Sequence, residues 1–167
     1  MMPHRQTVTI VLIGLFVAII ACTSSREDYA KLAEHLHSPD GFADWQSTEA
    51  QLATSTESAR TEYNRVHTME SLQVYEKAIR EYLDHGFVLY HALRSSSYDL
   101  PRGLRQSLEH RTMEFMDVAD GYLKEGSTPV AVGIAREVIL KYNVGRMDRA
   151  QHRAEGILME YRYQRNY

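Results

Sequence analysis

Cysteine and proline are scarce in this sequence, which contains one cysteine, Cys22, and four prolines among 167 residues. A single cysteine excludes a disulfide framework within the chain and a metal site built from several thiolates. No proline occurs from Thr48 to Leu93, and Gly86 is the only glycine there, so this stretch favours helix. No segment alternates apolar and polar residues with a period of two, so we expect no β-strands. The sequence therefore predicts an all-α fold.

Motifs typical of catalysis and of nucleic-acid binding are also missing. The formal net charge is −3, whereas nucleic-acid binding needs a concentrated basic face. There is no glycine-rich phosphate loop and no Gly-x-Ser-x-Gly elbow. Asp117 and Asp120 are close in sequence, but such pairs are more typical of a solvated helix face than of an acid–base pair. We therefore predict a protein that is not an enzyme, has no catalytic residue and binds no nucleic acid.

Eight histidines provide the only pattern that suggests a metal. Asp148 and His152 are four residues apart, as are Glu81 and His85, so each pair shares one helix face. Two such pairs could hold a metal if they converged, but there is no Glu-x-x-His repeat. Surface pairing of each carboxylate with its histidine is the preferred interpretation, and we expect no metal site. A helical bundle that binds a metal or another ligand stays open as an alternative.

The first 21 residues have the pattern of an export signal. His4 and Arg5 give a positive start, and 8–20 is apolar except for Thr9 and Gly14. This run is shorter than the about 20 apolar residues that a transmembrane helix needs. A positive start, a short apolar segment and a small residue at the cleavage site describe a secretory signal peptide.

Ile19, Ile20, Ala21 and Cys22 resemble the lipobox of bacterial lipoprotein precursors. The resemblance implies cleavage between Ala21 and Cys22 and acylation of Cys22, which would leave no thiol for nucleophilic catalysis. Two or more acyl chains anchor a protein stably, whereas one does not. Thr23 stands where Asp usually retains such proteins at the inner membrane, so the resemblance implies the periplasmic face of the outer membrane rather than the inner membrane. An ordinary signal peptide with an incidental cysteine, or an uncleaved anchor, is the alternative.

The sequence predicts three parts: a signal peptide over 1–21, a lipidated tether with a short helix over 22–46, and a helical domain over 47–167. The mature length suits one domain with a single core. The tether helix is expected over 27–37, ended by the Ser-Pro-Asp-Gly sequence that follows it. Thr48 and Gln51 have the spacing of a capping box, which predicts the start of the next helix.

Five helices are expected within the domain, counting the one that begins at Thr48. The helix from Thr48 should run to about Val66 with a thin apolar stripe. The next, over 72–93, contains a segment at 87–90 that is apolar on every side and should be buried at the centre of the core. Helices to about Glu125 and from Thr128 should follow, then a last helix with an apolar stripe at Met147, Ala150, Ala154, Leu158 and Tyr161. We therefore predict an irregular antiparallel helical bundle.

One predicted hairpin, over 118–143, resembles a tetratricopeptide repeat. The small-residue, Tyr, turn-Gly, Ala and inner positions of that pattern are filled by Ala119, Tyr122, Gly126, Ala131 and Ala135. Val138 and Asn143 depart from the pattern, and no second copy occurs, whereas about three repeats are needed for a stable array. We therefore expect one such hairpin within a bundle. The alternative is that Ala and Gly serve close packing, as in any tightly packed helix pair.

The C-terminal end interleaves aromatic and basic residues, which are enriched at protein interfaces. The residues predicted to bind a partner are Arg149, Arg153, Tyr161, Arg162, Tyr163, Arg165 and Tyr167. A frayed helix end in which cations complement the helix dipole is the alternative.

Together these features predict a membrane-anchored periplasmic lipoprotein that acts as a non-catalytic adaptor or assembly factor. Its expected partners are the membrane, through the lipid, and an unknown envelope protein; no cofactor is expected besides the lipid on Cys22. A helical protein that binds a ligand or metal is the second hypothesis, and a cell-wall enzyme is the third.

Overall fold

The computed structural model describes residues 26–96, 99–142 and 147–165. Within these ranges all regular elements are α-helices, so the predicted all-α bundle is confirmed. The helices are α1 (Arg26–His37), α2 (Pro39–Val66), α3 (Met69–Ser95), α4 (Leu104–Lys124), α5 (Thr128–Leu140) and α6 (Asp148–Arg165). None of them is both long enough and apolar enough to cross a bilayer. The predicted signal peptide and its lipidated cysteine lie outside the described residues.

The start of α2 differs from the prediction. The helix begins at Pro39, so Thr48 lies inside it and the capping box expected there is wrong. Ser38 Oγ accepts a hydrogen bond from Gly41 N at 3.1 Å, as a cap does, and Pro39 at the first helical position needs no N–H partner. The Ser-Pro-Asp-Gly sequence therefore ends α1 as expected and at once begins α2.

The described residues divide into two compact units. The first unit comprises 26–45 and 88–100, except for the two undescribed positions 97 and 98. Its buried apolar residues include Ala33 and Leu36 of α1 and Leu89, Ala92 and Leu93 of α3. The Tyr29 and His91 rings lie 5.9 Å apart in this unit. Burial, with a further contribution from Arg94, lowers the pKa of His91.

The second unit comprises 46–87 with 101–165, again without the undescribed positions. The inward stripe predicted for α4 is confirmed, because Leu104, Leu108, Phe115, Ala119 and Tyr122 are all buried. Only Thr56 and Ala59 of α2 are buried among its described residues in this unit, as the thin stripe predicts. Thr56 Oγ1 donates to the Ala78 carbonyl at 3.2 Å and so ties α2 to α3.

The turn between α4 and α5 forms where the sequence places it. Gly126 has a φ of 75°, and Ser127 N donates to the Tyr122 carbonyl at 2.8 Å, the long bond of a Schellman motif. Helix α5 starts at Thr128, so Ser127 occupies the N-cap position, although its side chain makes no capping hydrogen bond. The predicted helix pair is thus present, and its relation to tetratricopeptide repeats stays a prediction.

A candidate docking groove at the end of the chain

An open groove of about 250 Å³ lies between α5 and α6. Its lining residues define what we call the C-terminal groove: Arg136, Ile139, Leu140, Leu158, Tyr161 and Arg162. Leu140 is 84% exposed and lies beside the other apolar side chains of the lining. Clustered exposed apolar surface with a polar rim marks interaction sites on soluble domains.

Apolar surface continues along α6 beyond the groove. A second, shallower depression is lined by Met159, Glu160, Arg162 and Tyr163, and it shares Arg162 with the C-terminal groove. Met159 and Tyr163 are 66% and 67% exposed. The two depressions therefore adjoin at Arg162 and form one strip in which apolar and charged groups are mixed.

The helical period determines which α5 residues face the groove. Ala131, Ala135 and Val138 are buried on one face of α5. Because successive helical residues turn by about 100°, Arg136 and Leu140 fall on other faces and remain exposed. On α6, Ala150 and Ala154 are fully buried, and Leu158 follows one turn later at the groove.

Tyr142 fixes the chain just beyond α5. The residue is fully buried, and its ring centre lies 4.9 Å from that of Phe87 and 5.9 Å from that of Phe115. Its hydroxyl donates to Asp84 Oδ1 at 2.5 Å, and Lys141 Nζ lies 2.7 Å from the same oxygen. Burial, reinforced by Asp84, raises the pKa of Tyr142, so the phenol remains a hydrogen-bond donor at neutral pH. Leu140 therefore projects from a firmly held helix end.

Arg80 connects α3 to α5 beneath the same helix end. The four-residue spacing of Glu76 and Arg80 predicts an ion pair on the outer face of the helix. Arg80 Nη2 does lie 2.7 Å from Glu76 Oε1. The pair is not on an outer face, however, because Arg80 also bonds Glu137 of α5 and lies 4.9 Å from the Phe115 ring centre. Burial acts to lower the pKa of Arg80, but the hydrogen bonds to Glu76 and Glu137 outweigh it, so the pKa is raised.

Arg153, one of the predicted partner-binding residues, already has partners within the chain. Its Nη1 lies 2.8 Å from Asp117 Oδ1 and its Nη2 2.5 Å from Asp120 Oδ2. Burial opposes the charge, but the two aspartates outweigh it and raise the pKa of Arg153. The side chain thus attaches α6 to α4, and any role in binding a partner stays a prediction.

The other predicted residues have different positions. Tyr161 and Arg162 line the C-terminal groove, Tyr163 lines the neighbouring depression, and Arg149 is exposed earlier on α6. Arg165 is the last residue of α6, and its side chain is not among those that the structure describes. Tyr167 lies outside the described residues, as do the predicted lipidation and cleavage residues Cys22 and Ala21.

Four groove residues were not among those predicted to bind a partner: Arg136, Ile139, Leu140 and Leu158. A partial signal was present, because Ile139 and Leu140 extend the apolar residues of α5 past the buried stripe. The adjacent residues Ala131 and Val132 are both buried on this helix, however, so spacing alone does not show that Leu140 is exposed. Pairing this residue with α6 needed knowledge of how the two helices pack.

A buried charge cluster was also not predicted. Arg111 of α4 is 3% exposed; it bonds Glu49 of α2 and donates to the Tyr82 carbonyl at 3.2 Å. His85 Nε2 lies 3.6 Å from Glu49 Oε2. Glu81, which was expected to pair with His85, lies 4.0 Å from Lys77, and its pairing with His85 stays a prediction.

Within the described residues, the two carboxylate–histidine pairs do not belong to a group of metal ligands. His152 Nδ1 lies 2.6 Å from the main-chain oxygen of Asp148 rather than bonding its carboxylate. Among the residues that the structure describes, no three His, Cys, Asp or Glu side chains are grouped to hold a metal ion.

Comparisons of the chain with family models, with curated proteins and with solved structures found no match.

Proposed function

We propose that this protein is a lipid-anchored adaptor of the bacterial envelope and that the C-terminal groove binds its partner protein. The observation that carries the proposal is the clustering of Leu140, Met159 and Tyr163, all strongly exposed, along one strip at the end of the chain. Leaving such side chains in water is unfavourable, and covering them by a partner recovers that free energy.

The firmness of the groove supports binding without a large ordering cost. Tyr142 and Arg80 hold the end of α5, and Arg153 attaches α6 to α4. A surface that is already in place loses little conformational entropy when a partner binds, so more of the contact energy is available as affinity.

The chemistry of the groove favours binding over catalysis. Its polar lining groups are two guanidinium groups and one phenol, from Arg136, Arg162 and Tyr161. No carboxylate, imidazole or serine hydroxyl is present in the lining to act as a general base or an activated nucleophile. The groove therefore fits an adaptor better than the cell-wall enzyme.

The anchor is proposed from the sequence. The lipobox resemblance makes Cys22 the acylated first residue of the mature chain, and Thr23 favours the outer membrane. Replacing Cys22 by Ser should abolish acyl labelling and release the protein from the membrane fraction. Retention of the variant in the membrane would mean that the apolar start is the anchor and that the protein is not a lipoprotein.

The docking role is tested by a photo-crosslinking amino acid placed at Leu140 in cells that make the full-length protein. We expect one discrete protein adduct, and we expect it to disappear when Leu158→Asp places a charge in the same groove. The matched control is the same amino acid at Val74, which is 60% exposed on α3 and not in the groove. No adduct at Leu140, or equal adducts at Leu140 and Val74, would overturn the proposal.

A further inference from the structure

The openness of the C-terminal groove limits what can occupy it. Small-molecule sites bury about 70–90% or more of their ligand, whereas this groove and the depression beside it are open to solvent. A groove of this kind accepts a few side chains of a protein segment, as helix-in-groove complexes do.

The charge of the groove is of one sign. Arg136 comes from α5 and Arg162 from α6, so a cation borders each side, and the lining contains no carboxylate. Neither guanidinium forms an ion pair within the part of the chain that the structure describes, in contrast to Arg153 on the same α6. Glu160 lines only the neighbouring depression. Two charged donors are therefore available to an incoming acceptor.

We infer that the occupant is an acidic amphipathic helix of the partner protein. Its apolar side chains would contact Leu140, Leu158 and Tyr161, and its carboxylates would bond Arg136 and Arg162. Arginine suits this role because its planar fork of N–H donors matches a carboxylate. The inference rests on the proposed docking function and specifies the chemistry of its partner.

Charge reversal tests the inference. In the protein that carries the photo-crosslinking amino acid at Leu140, Arg136→Glu with Arg162→Glu should lower the adduct yield about tenfold or more, since two attractive contacts become repulsive. Arg136→Lys with Arg162→Lys should keep a larger yield than the reversed pair because the charge remains. Arg102→Glu with Arg105→Glu makes the same change in net charge on exposed residues away from the groove and should leave the yield within about twofold.

The outcomes separate this inference from the proposed function. An adduct at Leu140 whose yield is unchanged by the reversed pair would overturn the acidic helix and leave the docking role intact. An adduct with the mass of a phospholipid would mean that the groove faces the membrane and would also overturn the inference. Absence of any adduct in the protein with native arginines would overturn the docking role itself. Thermal unfolding checks whether the variant with Arg136→Glu and Arg162→Glu is folded. If this variant is unfolded, Arg136→Gln with Arg162→Gln is used in its place.

Discussion

The guanidinium carbon of Arg111 lies 3.6 Å from the centre of the Tyr82 ring. This contact stacks a buried cation of α4 on α3, while Glu49 of α2 supplies the opposite charge. Three helices that are distant in sequence therefore meet at one guanidinium group. Burial raises the pKa of Tyr82, although Arg111 acts against this change, so the ring remains neutral and its face available to the cation at neutral pH.

Gly86 makes the position of Arg111 possible. A Cβ atom at Gly86 would lie 2.6 Å from Leu108 Cδ2 and 2.7 Å from Arg111 Nη1, so both buried side chains would have to move. Overpacking of this kind costs about 1–3 kcal/mol, more than the about 1 kcal/mol that Ala gains over Gly in a helix. We therefore expect Gly86→Ala to lower the free energy of unfolding by about 1 kcal/mol, measured by urea denaturation.

Gly133→Ala is the matched control for Gly86→Ala. A Cβ atom at Gly133 in α5 would meet nothing within 4 Å, so only the gain in helix propensity remains. We expect this variant to be more stable than the natural protein by about 0.5–1 kcal/mol. Equal stabilisation by both substitutions would show that Gly86 is not needed for the approach of Arg111.

The pairing of Glu49 with Arg111 should show strong non-additivity. Glu49→Gln leaves a guanidinium buried without a charged partner, which costs about 3 kcal/mol or more in typical cases. Arg111→Met should cost less, because Glu49 is 20% exposed and can be hydrated in part. The double variant removes both charges, so we expect it to be more stable than Glu49→Gln alone.

A double-mutant cycle in urea measures this coupling. The comparison pair is Arg65 with Glu62, an exposed ion pair on one turn of α2. Exposed pairs couple weakly, so the two cycles should differ clearly. Additive effects at Glu49 and Arg111 would mean that the buried contact contributes little to stability.

Local signals in the sequence predicted a large part of the fold. The buried stripe of α4 and the left-handed residue at Gly126 follow from spacing and from the conformational freedom of glycine within a few residues. The prediction of where α2 starts was wrong for an equally local reason. Ser38 and Pro39 can end one helix and begin the next, and spacing alone does not show that both occur at once.

Contacts between distant residues could not be predicted in this way. Arg111 and Glu49 are 62 residues apart. Spacing places Arg111 on the α4 stripe between Leu108 and Phe115, but it does not identify Glu49 as the partner. The groove is intermediate. Tyr161 and Arg162 were predicted from composition, whereas Leu140 becomes meaningful only when α5 is packed beside α6.

Tyr142 should make the stability of the protein depend on alkaline pH. Burial raises its pKa in the folded state, so above about pH 10 the unfolded chain loses the phenolic proton while the folded chain keeps it. The unfolded state then binds fewer protons, and stability falls as the pH rises. We expect Tyr142→Phe to be less stable by about 1 kcal/mol at pH 7 and to lose less stability than the natural protein between pH 9 and 11.

Unfolding by urea at a series of pH values measures both parts of that prediction. Tyr63→Phe is the control, since it removes a phenol from α2 without touching Asp84. If the Tyr142 phenol ionised equally in the folded and unfolded states, the natural protein and Tyr142→Phe would lose stability in parallel as the pH rises. Parallel pH profiles would therefore show that the proposed anchoring of α5 through Asp84 is wrong.

Arg153 should affect the groove without lining it. Arg153→Met removes both ion pairs to Asp117 and Asp120 and keeps much of the apolar stem, so α6 loses its charged attachment to α4. Asp117 is largely exposed and Asp120 partly exposed, so the global cost should be about 1 kcal/mol or less. The local effect should be larger: hydrogen exchange of α6 amides should become faster while that of α3 changes little.

A looser α6 displaces Leu158 and Tyr161, so adducts formed from Leu140 should decrease about two- to threefold. Arg149→Met, at an exposed position on the same helix, is the stability control; exchange in α6 that is the same in both variants would show that Arg153 does not hold the helix in place.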